Sequence, residues 1–365
     1  MDEHLGKKLL YAASSVTHIK RFHLEVISAL RRDGYAVETL ARGADADFDI
    51  PFEKRLFSLK NLLLVPRIRK ILKIGGYDAV LLNTSLASFF VRLACPRRDR
   101  PRTVNIVHGY LFSDKIHSPK AMILRLAEEI LRGKTDVIIT MNRTDADIAR
   151  KFRLAREGTL EIPGMGVTLR REITSPEEIR SKFFPEDAYV ITFVGELSKR
   201  KNQALLIEAL KIIKKHIPTS HLCLVGGGCE LPTLKALASR LGISQSVSFV
   251  GEREDSCDFI RAADLYVSPS LSEGLPFNII EALGAGKTVL ASRIKGHTDI
   301  IDDGYDGYLF DLGDAEELSE KVIMIHRLGN ALSAERIREK YLKYEKNNVF
   351  PKLYSTIKSA INQQL

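Results

Sequence analysis

The segment from Ser268 to Glu281 holds the residues whose types and spacing are best suited to chemistry. A loop rich in glycine and proline follows the apolar run that ends near Ser268, and we expect a helix to begin near Phe277. The N–H groups and the dipole of a helix's first turn attract anions. Carboxylates at Glu273 and Glu281 can accept hydrogen bonds from hydroxyl groups. The segment therefore predicts a site for an anionic, hydroxylated ligand, with an ordinary helix cap and solvated glutamates as the alternative.

The elements that must position these residues alternate between strand and helix along the chain. We predict strands at 8–13, 36–41, 77–83, 103–107 and 136–141, and a helix at 19–32. The rhythm restarts near residue 165 with strands at 189–194, 222–225, 247–250, 265–268 and 288–292, separated by helices at 202–215, 232–241 and 277–283. This order predicts an α/β fold with two doubly wound parallel sheets.

The predicted domains are residues 1–165 and residues 166–348, with a final helix at about 349–365 that returns to the first domain. Ligands of open parallel sheets bind at the carboxyl ends of the strands. Polar or glycine-rich loops follow strands at six places, namely 14–18, 108–109, 195–201, 226–228, 251–254 and 268–276. We therefore expect these loops to gather around a central cleft that the two domains face.

The motifs resemble those of a known family. AADLYVSPSLSEGLPFNIIEALGAGKTVLAS, together with FVGELSKRKNQALLIEAL and GHTDIIDDGYDGYLF, is similar to the donor site of retaining GT-B glycosyltransferases of family 4. The likeness is strong over residues 189–311 and weaker over the first half, where it favours bacterial capsule and exopolysaccharide members. It implies Rossmann-like domains, the first for the acceptor and the second for a nucleotide-sugar donor. It also implies sugar transfer to a hydroxyl group with retention of the anomeric configuration.

The resemblance assigns roles to residues of the second domain. Glu281 would bind the ribose hydroxyls and Glu273 the transferred sugar, while Gly274 lets the backbone approach the ligand closely. The N–H groups of Leu275, Phe277 and Asn278 would contact the sugar or the diphosphate. The loop 251–254, which contains Arg253, would flank the base mainly through backbone atoms.

The phosphate site departs from the family pattern. Lys201 matches the lysine that neutralises the departing diphosphate, a task for which a fixed cation is needed. After the loop glycine, Gly195, the family often has arginine, but this chain has Glu196. A carboxylate cannot hold a diphosphate, so either Arg200 supplies the second positive charge or Glu196 has another use. We favour Lys201 over Arg200 as the principal cation.

The first domain offers fewer candidates. His108 follows a strand, at a position where the family places a histidine close to the sugar, although a single histidine is often structural. Ser14, Ser15 and His18 follow the first strand, where small side chains leave room for phosphate and His18 can contact donor or acceptor. A plain turn and helix start explain that loop equally well.

Positive charge is concentrated in the first half of the chain. Residues 1–165 contain 29 Lys and Arg against 19 Asp and Glu, while the whole chain carries a net charge of +9. The stretch 61–74 combines apolar and basic residues, and Arg97, Arg98, Arg100 and Arg102 form a second basic group. Such segments can lie on an anionic membrane, or they can be ordinary surface. A lipid-linked diphosphate saccharide acceptor would also suit this charge.

Further expectations concern cofactors, location and competing functions. No cysteine pair or zinc motif is visible, and Asp45-Ala46-Asp47 and Asp145-Ala146-Asp147 are both expected to be solvated, so we expect no required metal or cofactor. Without a visible signal peptide or spanning segment, we expect a cytoplasmic protein, peripheral at most on the inner face of the plasma membrane. We favour a UDP-sugar donor and no nucleic-acid partner. The alternatives are a nucleotide-sugar epimerase or hydrolase, or a non-catalytic nucleotide-binding scaffold, and mutation of Glu281 and Lys201 would separate the last from an enzyme.

Overall fold

The computed structural model describes residues 6–53, 58–96, 98–112, 118–329 and 332–362. Its internal contacts divide the chain into two compact units. The N-terminal unit consists of Met1–Met165 and Val349–Leu365, and the C-terminal unit is Gly166–Asn348.

The N-terminal unit is built on a parallel sheet. Within its described residues, seven strands pair in the order β3-β2-β1-β4-β5-β6-β7. They are β1 (Lys8–Ser15), β2 (Ala36–Arg42), β3 (Phe48–Asp49), β4 (Ala79–Asn83), β5 (Arg102–Val107), β6 (Val137–Thr140) and β7 (Gly158–Glu161). Every residue of β4, β5 and β6 is buried, as expected for strands that are covered by helices on both faces.

Helices connect these strands in sequence order. They are α1 (Val16–Phe22), α2 (Leu24–Arg32), α3 (Leu59–Leu63), α4 (Val65–Gly75), α5 (Ser85–Ala94), α6 (Pro119–Leu131) and α7 (Arg143–Lys151). Apolar residues of α4 and α5, among them Ile68, Leu72 and Phe90, form one core with Leu10 and Val80 of the sheet.

The prediction of one continuous helix over 19–32 was wrong. The helix is interrupted at His23, whose φ of −124° and ψ of −7° separate α1 from α2. The side chain of His23 is fully buried, with Nδ1 2.9 Å from the hydroxyl oxygen of Tyr11 on β1. A buried imidazole needs such a partner, and periodicity alone carries no sign of it.

The C-terminal unit repeats the architecture. Among its described residues, six parallel strands pair in the order β10-β9-β8-β11-β12-β13. The strands are β8 (Tyr189–Val194), β9 (Ser220–Val225), β10 (Val247–Gly251), β11 (Leu265–Ser268), β12 (Val289–Ser292) and β13 (Tyr308–Phe310). The helices are α8 (Pro176–Phe183), α9 (Gln203–Ile213), α10 (Leu231–Arg240), α11 (Ser256–Ala262), α12 (Phe277–Gly284), α13 (Ala315–Leu328) and α14 (Ala334–Leu342). Two doubly wound parallel sheets confirm the predicted fold class.

The last helix, α15 (Lys346–Asn362), carries the chain back to the N-terminal unit. Its buried residues include Val349, Leu353 and Ile357. Lys358 pairs with Asp33 at 2.7 Å, and the guanidinium of Arg102 donates to the Ala360 carbonyl. In the described part of the chain, none of the helices is both long enough and apolar enough to span a bilayer.

Candidate functional site

The candidate residues of the C-terminal unit lie where the strand order reverses. Strand β8 pairs with β9 on one side and with β11 on the other. The chain therefore leaves the carboxyl ends of β8 and β11 toward opposite faces of the sheet, which opens a crevice between the two loops. The loop Gly195–Lys201 follows β8, and the loop that contains Glu273 and Gly274 follows β11.

A carboxylate lies between two cations in this crevice. The ammonium nitrogen of Lys201 is 2.6 Å from Oε1 of Glu273, and Nη1 of Arg200 is 3.0 Å from the same oxygen. Lys201 is only 8% exposed, whereas Arg200 is exposed and donates a second hydrogen bond, at 2.9 Å, to the Ser272 carbonyl. The structure thus brings together the two cations that the sequence left as alternatives.

Glu273 is ionised at neutral pH in spite of its burial. Burial by itself raises the pKa of a carboxyl group, but the charges of Lys201 and Arg200 outweigh it and lower the pKa of Glu273 below its ordinary value. The carboxylate is therefore available to accept hydrogen bonds. It also holds the ammonium group of Lys201 in place.

Glu196 occupies the position where the family often has an arginine, and it brings no positive charge to the site. That side chain is exposed, while its carbonyl accepts a hydrogen bond from Gln203 at 2.8 Å. Glu196 therefore contributes to the loop through its backbone, and Arg200 is the second cation beside Glu273.

Glycines allow the loops that follow β8 and β9 to pack closely at this edge. A Cβ atom on Gly226 would lie 2.0 Å from the carbonyl oxygen of Gly195, and one on Gly228 would lie 2.2 Å from that of Leu197. Gly195 itself has a φ of 152° and donates to the Val225 carbonyl at 2.8 Å. The lack of room for side chains thus explains why the turn at 226–228 is rich in glycine, without reference to a ligand.

The start of α12 is fixed to the end of β8. The side-chain amide of Asn278 donates to the Val194 carbonyl at 2.7 Å. Leu275, Phe277 and Glu281 are half-buried beside it, and Gly274 lies against Gly296, where a Cβ atom would be 2.7 Å from the Gly274 carbonyl oxygen. The first turn of α12 is thereby held in the crevice, with its N–H groups directed out of the helix start.

Sequence reasoning missed His297, which lies in a hydrogen-bonded network with the loop after β11. Its fully buried ring lies 3.3 Å from the hydroxyl of Ser268 and 2.8 Å from the carbonyl of Ser292. Ser292 in turn donates to the Ser270 carbonyl at 2.6 Å. The only sequence signal was its place in the GHTDI segment, within the family motif. This network holds the loop that presents Glu273.

Arg253 is engaged in a structural ion pair. Its guanidinium makes a bidentate contact with Asp255 at 2.6 and 2.7 Å and lies over the rings of Phe183 and Phe259. The side chain of Arg253 is thus engaged within the protein, and backbone contact of loop 251–254 with a base remains a prediction.

The candidates of the N-terminal unit lie at the corresponding reversal of strand order. Strand β1 pairs with both β2 and β4. The Ser15 hydroxyl accepts from the His18 N–H at 3.3 Å and so caps α1, and the Ser14 N–H donates to the hydroxyl of Thr84 at 3.0 Å. Ser14 and Ser15 thus take part in a turn and a helix start, which is the alternative to a phosphate loop that the sequence left open.

His108 follows β5 and reaches His18 of α1 and His23 at the break between α1 and α2. Its ring lies edge-on to that of His18, with centroids 5.1 Å apart, and 5.0 Å from that of His23. Burial lowers the pKa of His108 to about 3 and, with a contribution from Arg21, the pKa of His18 to about 4. These imidazoles are neutral at pH 7. His23 was not a sequence candidate.

One expectation for the N-terminal unit was wrong, and one of the alternatives left open for it is narrowed. Asp145 is not solvated but fully buried, and it accepts from the amide of Asn142 at 2.8 Å and the N–H of Tyr110 at 3.2 Å. In the basic group 97–102, Arg100 pairs with Asp136 at 2.6 Å and Arg102 with Glu157 at 2.7 Å. These two arginines serve the fold rather than an external anion; Arg97 lies outside the described residues.

Two doubly wound units of this kind define the GT-B class of proteins. The family model for glycosyl transferases group 1 matches residues 174–348, and the model named Glycosyltransferase Family 4 matches residues 19–164. The chain is 31% identical to EpsD of Bacillus subtilis (strain 168), over 88% of each protein. It belongs to the family 4 glycosyltransferases.

Other similar proteins agree with this assignment. An Escherichia coli enzyme, the UDP-Gal:alpha-D-GlcNAc-diphosphoundecaprenol alpha-1,3-galactosyltransferase, is 26% identical over 76% of this chain and 74% of its own. Anabaena Alr3699/HepE, solved in complex with UDP and glucose, superimposes with a TM-score of 0.75 over 97% of this chain and 100% of its own, at 21% identity. The fold is therefore GT-B.

Proposed function

We propose that this glycosyltransferase moves a sugar from a UDP-sugar to a hydroxyl group of a lipid-linked diphosphate saccharide, with retention at the anomeric carbon. The ion pair between Lys201 and Glu273 at the start of α12 carries the proposal. It combines, in one crevice, a fixed cation for a diphosphate and an ionised carboxylate for sugar hydroxyls. Cell-surface polysaccharide synthesis is the process that such an acceptor serves.

The proposed transfer begins with loss of the diphosphate. As the bond between the anomeric carbon and the phosphate oxygen breaks, negative charge grows on the leaving group. Lys201, Arg200 and the first turn of α12 stabilise that charge. Because these groups are already held in place by Glu273 and Ser272, little reorganisation is needed in the transition state.

The acceptor hydroxyl attacks from the face that the diphosphate leaves. A bond forms between its oxygen and the anomeric carbon, and its proton passes to a phosphate oxygen of the leaving group, so no enzyme nucleophile is required. Lys201 and the helix start provide the positive charge that a metal supplies in other transferases. We therefore propose that transfer needs no metal ion or other cofactor.

Remaining donor contacts are assigned to residues of the same crevice. We assign the ribose hydroxyls to Glu281, the sugar to Glu273, and the diphosphate or sugar to the backbone of Leu275, Phe277 and Asn278. Gly195 and Gly274 provide room for close approach, while the loop that contains Arg253 flanks the base. In the N-terminal unit, His18 and His108 are assigned to substrate contacts.

Relatives support the substrate classes. The name of the E. coli relative gives UDP-Gal as donor and a GlcNAc-diphosphoundecaprenol as acceptor, and the Anabaena structure contains UDP. The excess of positive charge in residues 1–165 is suited to a diphosphate-bearing acceptor and to an anionic membrane surface. We favour UDP on these grounds.

Membrane association is supported by exposed apolar side chains beside basic ones. Leu59, Leu63 and Ile74, on or next to α3 and α4, are between 73% and 78% exposed. Basic residues Lys60, Arg67, Lys70 and Lys73 lie along the same stretch. Apolar side chains that enter the lipid boundary, with cations at the headgroups, are typical of peripheral binding.

A donor and acceptor screen tests the function. The full chain is incubated with UDP-, GDP- and ADP-sugars, with and without an undecaprenyl-diphosphate saccharide, and the anomeric configuration of the product is read by NMR. We expect acceptor-dependent release of UDP and a retained configuration. Release that is independent of acceptor would indicate a hydrolase, and an inverted product would exclude the proposed mechanism.

A further inference from the structure

Three histidines of the N-terminal unit converge from different parts of the chain. His18 belongs to α1, His23 lies at the break between α1 and α2, and His108 follows β5. Their ring centroids form a nearly equilateral triangle with sides of 5.0, 5.0 and 5.1 Å. One ligand nitrogen from each ring lies within 4.8 Å of the other two. Three imidazoles so close together could act jointly as the ligands of one metal ion.

The spacing of two of these nitrogens matches metal coordination. Nε2 of His18 lies 3.2 Å from Nε2 of His23. Two nitrogens bound at tetrahedral angles to one Zn²⁺ would be about 3.3 Å apart, given ordinary zinc–nitrogen bond lengths. A metal ion can therefore take the place of the proton now shared by the two rings without moving them far.

The third histidine has an unused nitrogen. Nε2 of His108 is buried and, among the described residues, has no hydrogen-bond partner. A buried polar atom that lacks a partner is costly. Coordination would remove that cost, as would the substrate contact assigned to His108 above, and the Co²⁺ spectrum described below distinguishes the two.

A hydrogen bond to one of the three rings favours the same use. The hydroxyl of Tyr11 lies 2.9 Å from Nδ1 of His23. If that nitrogen donates its proton to Tyr11, Nε2 is left for the metal, the arrangement that orients ligand histidines in known sites.

We propose that His18, His23 and His108 form a three-histidine site for a divalent transition-metal ion, which zinc fits best. Imidazole nitrogens suit Zn²⁺, Cu²⁺ and Ni²⁺, whereas a set without oxygen ligands disfavours Mg²⁺ and Ca²⁺. Three protein ligands leave a fourth tetrahedral position for water or a substrate oxygen. His18 and His108 are also assigned to substrate contacts above, which a substrate oxygen in the fourth position would satisfy; the transfer itself, carried by Lys201 and Glu273, is proposed to need no metal.

Metal binding is measured on the untagged full chain after removal of metals with a chelator. Titration with ZnCl₂ by calorimetry should give one equivalent bound per chain. Titration with Co²⁺ should give the intense visible absorption of a four-coordinate ion, a signal that a merely structural histidine cluster would not produce. No saturable Zn²⁺ binding, or the weak absorption of six-coordinate Co²⁺, would overturn the site.

Substitutions identify the ligands. His18→Asn and His108→Asn should each weaken Zn²⁺ binding by at least about 100-fold, more than loss of an outer-shell partner. His216→Gln and Cys229→Ser, which remove an exposed histidine and an exposed thiol of the C-terminal unit, should leave the stoichiometry unchanged. Two results would contradict the assignment: loss of the bound Zn²⁺ ion in Cys229→Ser, or one Zn²⁺ ion still bound per chain in the double variant of His18 and His108. Should a variant fail to fold, the Co²⁺ spectrum of the unaltered chain still decides.

Discussion

The ammonium group of Lys201 and the carboxylate of Glu273 meet at 2.6 Å, although 72 positions separate them in the chain. Each comes from a loop at the carboxyl end of a neighbouring strand, β8 and β11. Arg200 shares the carboxylate from the exposed side. The arrangement leads to specific expectations for activity and binding.

Replacement of Lys201 should slow transfer. Lys201→Met removes the buried cation and should lower kcat by about 100-fold or more, because charge on the leaving diphosphate loses its stabilisation. The control is Lys199→Met, which removes an exposed positive charge two residues away. Steady-state UDP release with a lipid-linked acceptor measures both variants. An equal decrease of kcat in the two variants would show that the total positive charge of the loop, and not Lys201 in particular, supports transfer.

Replacement of Glu281 should weaken nucleotide binding. A carboxylate that accepts hydrogen bonds from ribose hydroxyls contributes enough for Glu281→Gln to raise the Kd for UDP by about tenfold. Glu208→Gln, an exposed position of α9, is the matched control and should bind normally. Calorimetric titration with UDP provides the comparison. Normal UDP affinity in Glu281→Gln would remove the ribose assignment.

Neighbouring glycines should respond very differently to alanine. Gly226→Ala places a Cβ atom 2.0 Å from a backbone oxygen at a φ of 139°, so the free energy of unfolding should fall by about 2–4 kcal/mol. In Gly227→Ala the nearest atom, at 2.9 Å, is Oε1 of the exposed, flexible Glu252. That change should cost less than about 1 kcal/mol. Urea denaturation distinguishes them, and similar losses would contradict the close packing of the loops.

Acid should destabilise the C-terminal unit through His221. Burial, with a contribution from Lys214, lowers its pKa from 6.5 to about 4. Between these values the unfolded chain binds a proton that the folded chain does not, so stability is full above pH 6.5 and is lost as the pH falls toward 4. When the pH is lowered from 7 to 5.5, the free energy of unfolding should therefore fall by about 1 kcal/mol less in His221→Gln than in the unaltered chain.

The control for this pH dependence is His216→Gln, at an exposed position of the same unit. Urea midpoints at the two pH values should change in this variant as they do in the unaltered chain. An unchanged pH dependence in His221→Gln would show that His221 does not contribute.

Membrane binding should depend on salt and on α3. The chain should float with vesicles that contain phosphatidylglycerol at low salt and detach at high salt, because screening weakens attraction to anionic headgroups. Leu59→Ser with Leu63→Ser should reduce flotation. Ile173→Ser, which changes an exposed apolar residue of the C-terminal unit, should not reduce flotation. If the unaltered chain does not float with the vesicles at low salt, the exposed surface of α3 and α4 is not a membrane-binding surface.

Local sequence determined most of the architecture. Apolar runs bounded by glycine and polar loops predicted strands such as β8 and β11 with their observed bounds, because burial on both faces leaves a pattern that needs no long-range information. The loop from Ser268 to Glu281 was also predicted from the sequence, because its glycine, its proline and its helix start are local features. Short strands such as β3 at two residues are too brief to leave such a signal.

Tertiary structure decided which distant side chains meet. Nothing near Lys201 in sequence indicates that Glu273 will hold it, or that Arg200 will share the carboxylate in place of an arginine at 196. The break at His23 and the meeting of three histidines likewise depend on Tyr11 and β5. The physical reason is common to these cases. Strand order brings loop ends together across the sheet, and burial then sets the charge state of what meets there, neither of which is encoded in a local pattern.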